Sequence, residues 1–300
     1  MKPFITNFNI RVLEKDGNDE LFSYKGRKLL DIMSDTSLFS FNELEVCADP
    51  FLFIHQDRLF LFYEKQYKLS GKGYLCMVST TDLVNWSPES IVLKEKFHLS
   101  FPFVFEDDGH VYMVPESSND YSIRLYEATD SSLMKWNYVK NLVLEEDNWV
   151  DSSIILHDNC YYLFTTTTQN GIQSQRLFFS EKLTNTFVEH PCSPIYIGND
   201  CGRNGGSILA IKDDLYRPAQ DCVGGYGTQI NILKIDMLSQ TEYREHIHRN
   251  NIIDTSMKFY KGGGHQFNMV QYNDRVIVAT DAKTKNYNLI ETIRRIVSHF

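Results

Sequence analysis

Three carboxylates in this 300-residue chain sit where strands begin or end, the places from which side chains can be aimed at a ligand. Asp49 lies in ADPFLF (48–53), Glu116 closes MVPES (113–117), and Asp151 opens DSSII after Val150. Grouped carboxylates of this kind serve as general acid, general base or nucleophile. Arg203, Arg217 and Arg124 add guanidinium forks, which grip carboxylate or phosphate, or neutralise acids internally. Asn204 beside the glycine pair 205–206, Gln220, Asp221, Glu64, His98 and His265 offer hydrogen bonds to hydroxyl-rich ligands. Each has a plainer use. An Asp before Pro often caps local backbone, and a lone histidine is usually structural.

The elements that must position these groups are strands. RLFLFYE, GYLCMVS, HVYMVPE, SIRLYEA, YYLFTTT, QINILKI and RVIVATD are short, aromatic or β-branched runs bounded by turn residues. One unit recurs: an apolar strand, a polar turn containing Asp, and a second apolar strand. It starts near residues 48, 100, 150, 204 and 264. Trp86, Trp136 and Phe187 close a third strand in the first three units. A period of this length predicts an all-β, five-bladed propeller spanning 1–300 as one domain. Inner strands would then bring Asp49, Phe101, Asp151, the 203–206 stretch and His265 to one axial funnel. The ends of the second strands would add Glu64, Glu116, Thr166, Gln220 and Asp221. Asp57, Asp107, Asp108, Asp158, Asp213 and Asp274 read as turn residues. Residues 1–45 hold weak strand patterns, FITNFNIRVLE and ELFSYKG, expected to close the ring beside the last blade. Leu289, Ile293 and Ile296 predict a C-terminal helix.

Bulk properties narrow the partners. A formal charge of −9 disfavours nucleic acid. No run reaches the ~18 apolar residues of a membrane span. No signal peptide is evident, and the six scattered cysteines lack a CxxC pair, so buried thiols and a cytoplasmic home are expected. Dinucleotide, P-loop, zincin and GxSxG motifs are absent, as is a clear strand-end DxD.

The strings ADPFLF, HLSFPFVF, MVPES, VDSSII, RNGG and LYRPAQDC, with Tyr226-Gly227, resemble the N-terminal propeller domain of plant glucosamine inositolphosphorylceramide transferases and of bacterial surface-glycan assembly proteins. More distantly, Asp49-Pro50, Asp151 and Gly264-His265 resemble the propellers of family-43 glycosidases, arabinanases, levansucrases and invertases. The resemblance implies a sugar or activated-sugar substrate and a glycan or glycolipid acceptor. It implies Asp49 as base or nucleophile, Asp151 as the aspartate that orients or tunes the general acid, and a site role for Glu116. No cofactor is implied, although a structural cation on the axis near His265 is compatible with it. In family-43 glycosidases a Glu opening blade four supplies the proton; here CGRNGGSIL has none. Three readings follow: glycosyl transfer, family-43-like hydrolysis with Glu116 or Asp221 as acid, and glycan binding without turnover.

Overall fold

Antiparallel pairing follows the apolar runs. In the computed structural model, which describes residues 4–17, 20–34, 45–67 and 71–287, the strands form five sheets arranged as a β-propeller. Blade one runs Glu45–His55, Arg58–Tyr67, Lys72–Thr80 and Ser90–Leu93 from the axis outward. Blade two is built from Ser100–Asp107, His110–Glu116, Arg124–Ala128 and Trp136–Asn141. Blade three begins with Val150–His157 and Cys160–Gln169, and blade four with Leu209–Ile211 and Asp214–Asp221.

The fifth sheet is composite. Phe267–Tyr272 and Arg275–Tyr287 are its inner strands, and Phe4–Glu14 and Arg27–Ile32 complete it on the outside. Pairing from Phe4↔Tyr287 to Glu14↔Ile277 ties the first strand to the last and closes the ring. The second N-terminal strand falls on RKLLDI rather than on ELFSYKG. Phe22 and Tyr24 of the latter instead bury their rings between blades four and five. The expected C-terminal helix lies outside the described residues except for Tyr287, which ends a strand. Among the described residues no helix is long and apolar enough to cross a membrane.

The core lies between blades. Phe53, Phe62 and Leu75 of blade one meet Val104, Met113 and Trp136 of blade two. Phe101, Phe103 and Val114 of blade two meet Ile154, Leu163 and Phe178 of blade three. At about 1.5–3 kcal/mol for each large apolar side chain buried, these seams hold the blades face to face. The Asp-containing turns are two-residue hairpins, with left-handed φ at Asp57, Asp108 and Asp158. Four of the six cysteines are buried; Cys192 is exposed and Cys222 half-buried.

One irregularity repeats and matters for function. The inner strands of blades one to three shift register between Ala48 and Phe51, Ser100 and Phe103, and Val150 and Ser153. Asp49, Phe101 and Asp151, at the three bulges, have φ of 52°, 45° and 52°. Positive φ is costly for residues with a Cβ, and such bulges re-aim a side chain out of the strand's alternation.

Candidate functional site

The three bulges open onto one axial cavity of about 330 Å³. Asp49, Glu64, His98, Glu116, Asp151, Arg203 and His265 line it, with Phe8 and Tyr226. Register explains why acids arrive from two kinds of position. Ala48 pairs with Glu64, Ser100 with Glu116, and Val150 with Thr166, so these second-strand residues are equivalent. In blade two the bulge residue is Phe101, whose ring turns into the core 4.7 Å from that of Phe51. Its backbone N–H donates to Asp49 Oδ2 at 3.1 Å. Blade two therefore contributes its carboxylate from Glu116, across from Ser100.

Blade four delivers the cation. Arg203 Nε lies 2.5 Å from Asp151 Oδ2, and its Nη2 is 4.0 Å from Glu116 Oε2. Gln220 Nε2 donates to Asp151 Oδ2 at 2.8 Å, and Asn204 Nδ2 donates to the Asp151 carbonyl at 2.7 Å. Both polar residues thus fix Asp151 from behind. On the opposite wall, His98 Nδ1 accepts the Gly73 N–H at 2.8 Å, which places its proton on Nε2, 3.5 Å from Glu64 Oε1. Gly73 is required there: a Cβ would stand 2.7 Å from Glu64 Oε1 and 2.3 Å from the Leu99 carbonyl.

Crowding buried acids into one cavity separates their protonation states. Burial, opposed by His265 and reinforced by Asp151 and Asp281, raises Asp49 to about 6. Burial and the neighbouring Asp151 carboxylate push Glu116 up to about 8 against the pull of Arg203. Burial and the surrounding acids hold Glu64 well above the ordinary carboxyl range. Burial lowers His98, which is therefore neutral at pH 7. At neutral pH the cavity holds Asp49 mostly ionised, Glu116 mostly protonated and Arg203 charged.

Five candidate site residues do not line the cavity: Asn204 and Gln220 stand behind Asp151, and Arg124, Arg217 and Asp221 have partners elsewhere. Arg124 pairs with Asp120 and lies over the rings of Phe97 and Tyr138. Arg217 is fully buried against Glu245. Asp221 accepts the Val223 N–H in its own turn. Three others were missed. Tyr226, in a glycine-rich turn, forms the cavity lip with its ring 5.0 Å from the Arg203 guanidinium carbon and 4.8 Å from His265. Phe8 stacks on His265 at 4.1 Å from the ring-closing strand. Asp281, wholly buried, ends RVIVATD as Glu64 ends RLFLFYE and Glu116 ends HVYMVPE. The repeat itself carried that signal.

Asp49, His265 and Asp281 bring one potential ligand atom each within 4.8 Å of one another. His265 Nδ1 and Asp281 Oδ2, however, lie 2.5 Å apart, meeting as an ion pair without straight hydrogen-bond geometry. Ligands held at 2.0–2.6 Å from one ion stand roughly 3 Å or more apart. Two lone-pair atoms closer than that repel unless Nδ1 carries the proton. The trio fits a His265 that carries its proton on Nδ1 toward Asp281 better than it fits a cation cage.

Comparison with known proteins places these features in context. The family model for "Glucosamine inositolphosphorylceramide transferase 1, N-terminal" matches residues 33–277. Glucosamine inositolphosphorylceramide transferase 1 of Oryza sativa subsp. japonica is 36% identical over 205 residues, which cover 66% of this chain and 27% of the rice protein. The chain thus spans little more than a quarter of that relative's length. Among solved structures, a putative glycoside hydrolase from Parabacteroides distasonis aligns with a TM-score of 0.58 and 13% identity, over 82% of this chain and 88% of that one. An α-L-arabinofuranosidase from Podospora anserina aligns with a TM-score of 0.56 and 10% identity, over 78% and 90%. At such identities the likeness to these two is one of fold.

Proposed function

The chain belongs to the glucosamine inositolphosphorylceramide transferase 1 N-terminal family, and from that membership we propose that it acts on carbohydrate in surface-glycan or glycolipid assembly, with glycosyl transfer in the axial cavity as its chemistry. One observation carries the reading. Asp49 and Glu116 line a single cavity whose environment splits their protonation, to about 6 and about 8. Carboxyls driven apart in this way make an acid and a base at one pH.

In this reading a sugar unit sits among Asp49, Glu116 and Arg203. Asp49, ionised, is the base that takes the acceptor hydroxyl's proton, or the nucleophile at the anomeric carbon. Glu116, protonated, gives its proton to the departing oxygen. Arg203 stands beside both Asp151 and Glu116, where it can face negative charge growing on a phosphate leaving group. Blade four carries this arginine where family-43 glycosidases carry their acid, which favours transfer from an activated donor over hydrolysis.

Nucleotide sugars and lipid-linked sugars, screened by calorimetry and by product formation, test the proposal. At least one is expected to bind, and Arg203→Ala to weaken it about tenfold or more, the loss expected for a charge-assisted contact. Turnover should be bell-shaped. It rises as Asp49 ionises near pH 6 and falls as Glu116 loses its proton near pH 8. Binding of no sugar in either class would defeat the proposal. Free sugar as sole product would replace transfer by hydrolysis, and tight binding without turnover would leave a glycan-binding propeller.

A further inference from the structure

The residue that sets the cavity's charge pattern lies outside it. Asp281, in the second strand of blade five, is 0% exposed and does not line the cavity. Its Oδ1 accepts two successive backbone N–H groups, from His265 at 2.8 Å and Gln266 at 3.1 Å. Its Oδ2 meets the His265 ring at 2.5 Å and accepts the Asp49 N–H at 3.4 Å. One carboxylate therefore touches both the last blade and the first. The backbone is shaped around it: a Cβ on Gly264 would stand 2.3 Å from the Asp281 carbonyl oxygen and 3.2 Å from its Oδ1.

We propose that Asp281 is the positioning residue of this site, holding the His265 ring beside Asp49 and holding the Asp49 backbone at its bulge. The inference rests on the reading of Asp49 as the reacting carboxylate. His265 Nδ1 is 3.7 Å from Asp49 Oδ1. The groups facing the ring come from every packed element: Asp281 from blade five, Asp49 from blade one, Asp151 from blade three, and Tyr226 with Arg203 behind it from blade four. Phe8, stacked on the other face, is apolar, and Glu64 and Glu116 line the same cavity. Burial works against a charged ring, but Asp281, Asp49 and Asp151 outweigh it, so His265 titrates above its ordinary 6.5. A charged His265 in turn opposes the rise that burial imposes on Asp49. Without Asp281 the ring loses its strongest partner and holds its proton less tightly. Asp49 then has a charged ring beside it less of the time. Removing Asp281's own negative field pulls the other way, but it is the weaker of the two influences on Asp49.

A merely structural Asp281 would move stability and leave these titrations in place, so the titrations decide. NMR of the histidine rings and aspartate carboxyls, with no ligand added, is the measurement. In the parent, His265 is expected to titrate above 6.5. In Asp281→Asn it should fall below that value, a loss in proton affinity of about tenfold or more, and Asp49 should titrate higher than in the parent. Should Asp281→Asn not fold, His265→Gln provides the second reading, with Asp49 again titrating higher. A parent His265 at or below 6.5, unchanged titration in a folded Asp281→Asn, or an Asp49 unmoved in His265→Gln would each overturn the proposal. So would a shift of the His265 resonances on adding millimolar Ca²⁺, since the ring would then be a metal ligand. None of these outcomes depends on finding the sugar, so a failed ligand screen leaves the result readable.

Discussion

Glu116→Gln is expected to slow turnover by about 10²–10⁴-fold while making the protein harder to unfold at alkaline pH. The two effects share one cause. Glu116 is buried, faces Asp151, and holds its proton up to about pH 8 rather than its ordinary 4.5. Between those values the folded protein keeps a proton that the unfolded chain has released. Stability is therefore lost as pH rises through the window, and the loss is complete above about 8. Glutamine has the shape of the protonated acid and nothing to release. The variant should match the parent below about pH 4.5 and exceed it by about 5 kcal/mol above the window, at about 1.4 kcal/mol per pH unit. That is a sizeable share of the ~5–15 kcal/mol that holds a domain folded. Urea denaturation on either side of the window, with turnover measured beside it, separates the cases. A Glu116→Gln protein destabilised equally at both pH values would show that Glu116 is an ordinary hydrogen-bonding residue and not a stored acid.

The repeat made this acid legible before any coordinates, because sheet periodicity carries register. Runs that alternate and end on a carboxylate place that carboxylate at the same height in each blade, which is how Glu64 and Glu116 reach the axis. The same logic reached Asp49 and Asp151 through their strand starts, although the bulges that aim them leave no periodic mark. What the pattern could not carry was closure. Phe8 enters the cavity only because Phe4–Glu14 pairs along the whole last strand, a contact between the two ends of the chain. Tyr226 arrives from a turn, where side-chain direction follows no period. Residue type also misled. An arginine beside apparent site residues suggests a ligand, but guanidinium chemistry serves a buried acid as well as a phosphate, and only packing distinguishes them. Arg124 and Arg217 both proved to be of the internal kind.

Arg217 is the basis of the second large effect, expected for Glu245→Ala. The guanidinium is 0% exposed and grips Glu245 at two points, Nη2 to Oε1 at 2.6 Å and Nε to Oε2 at 2.9 Å. Its Nη1 donates to the Cys201 carbonyl at 3.0 Å and to Gln175 Oε1 at 3.3 Å. Cys201 stands two residues before Arg203, but neither Arg217 nor Glu245 lines the cavity. Arg217 cannot shed its charge, because guanidinium stays protonated even when buried. Deleting Glu245 therefore leaves an uncompensated cation in a closed interior, at a cost of about 3–5 kcal/mol. Replacing both partners together, as Arg217→Met with Glu245→Leu, should cost far less, because no charge is stranded. Denaturant midpoints for Arg217→Met, Glu245→Leu and the double variant complete the cycle. If Glu245→Ala cost less than about 1 kcal/mol, water would have to reach Arg217, and the assignment of this arginine to the scaffold would fail. If the assignment holds, sugar bound per folded molecule stays at the parent level in the double variant. Arg203→Ala does the reverse, weakening binding through the one arginine of the pair that faces the cavity.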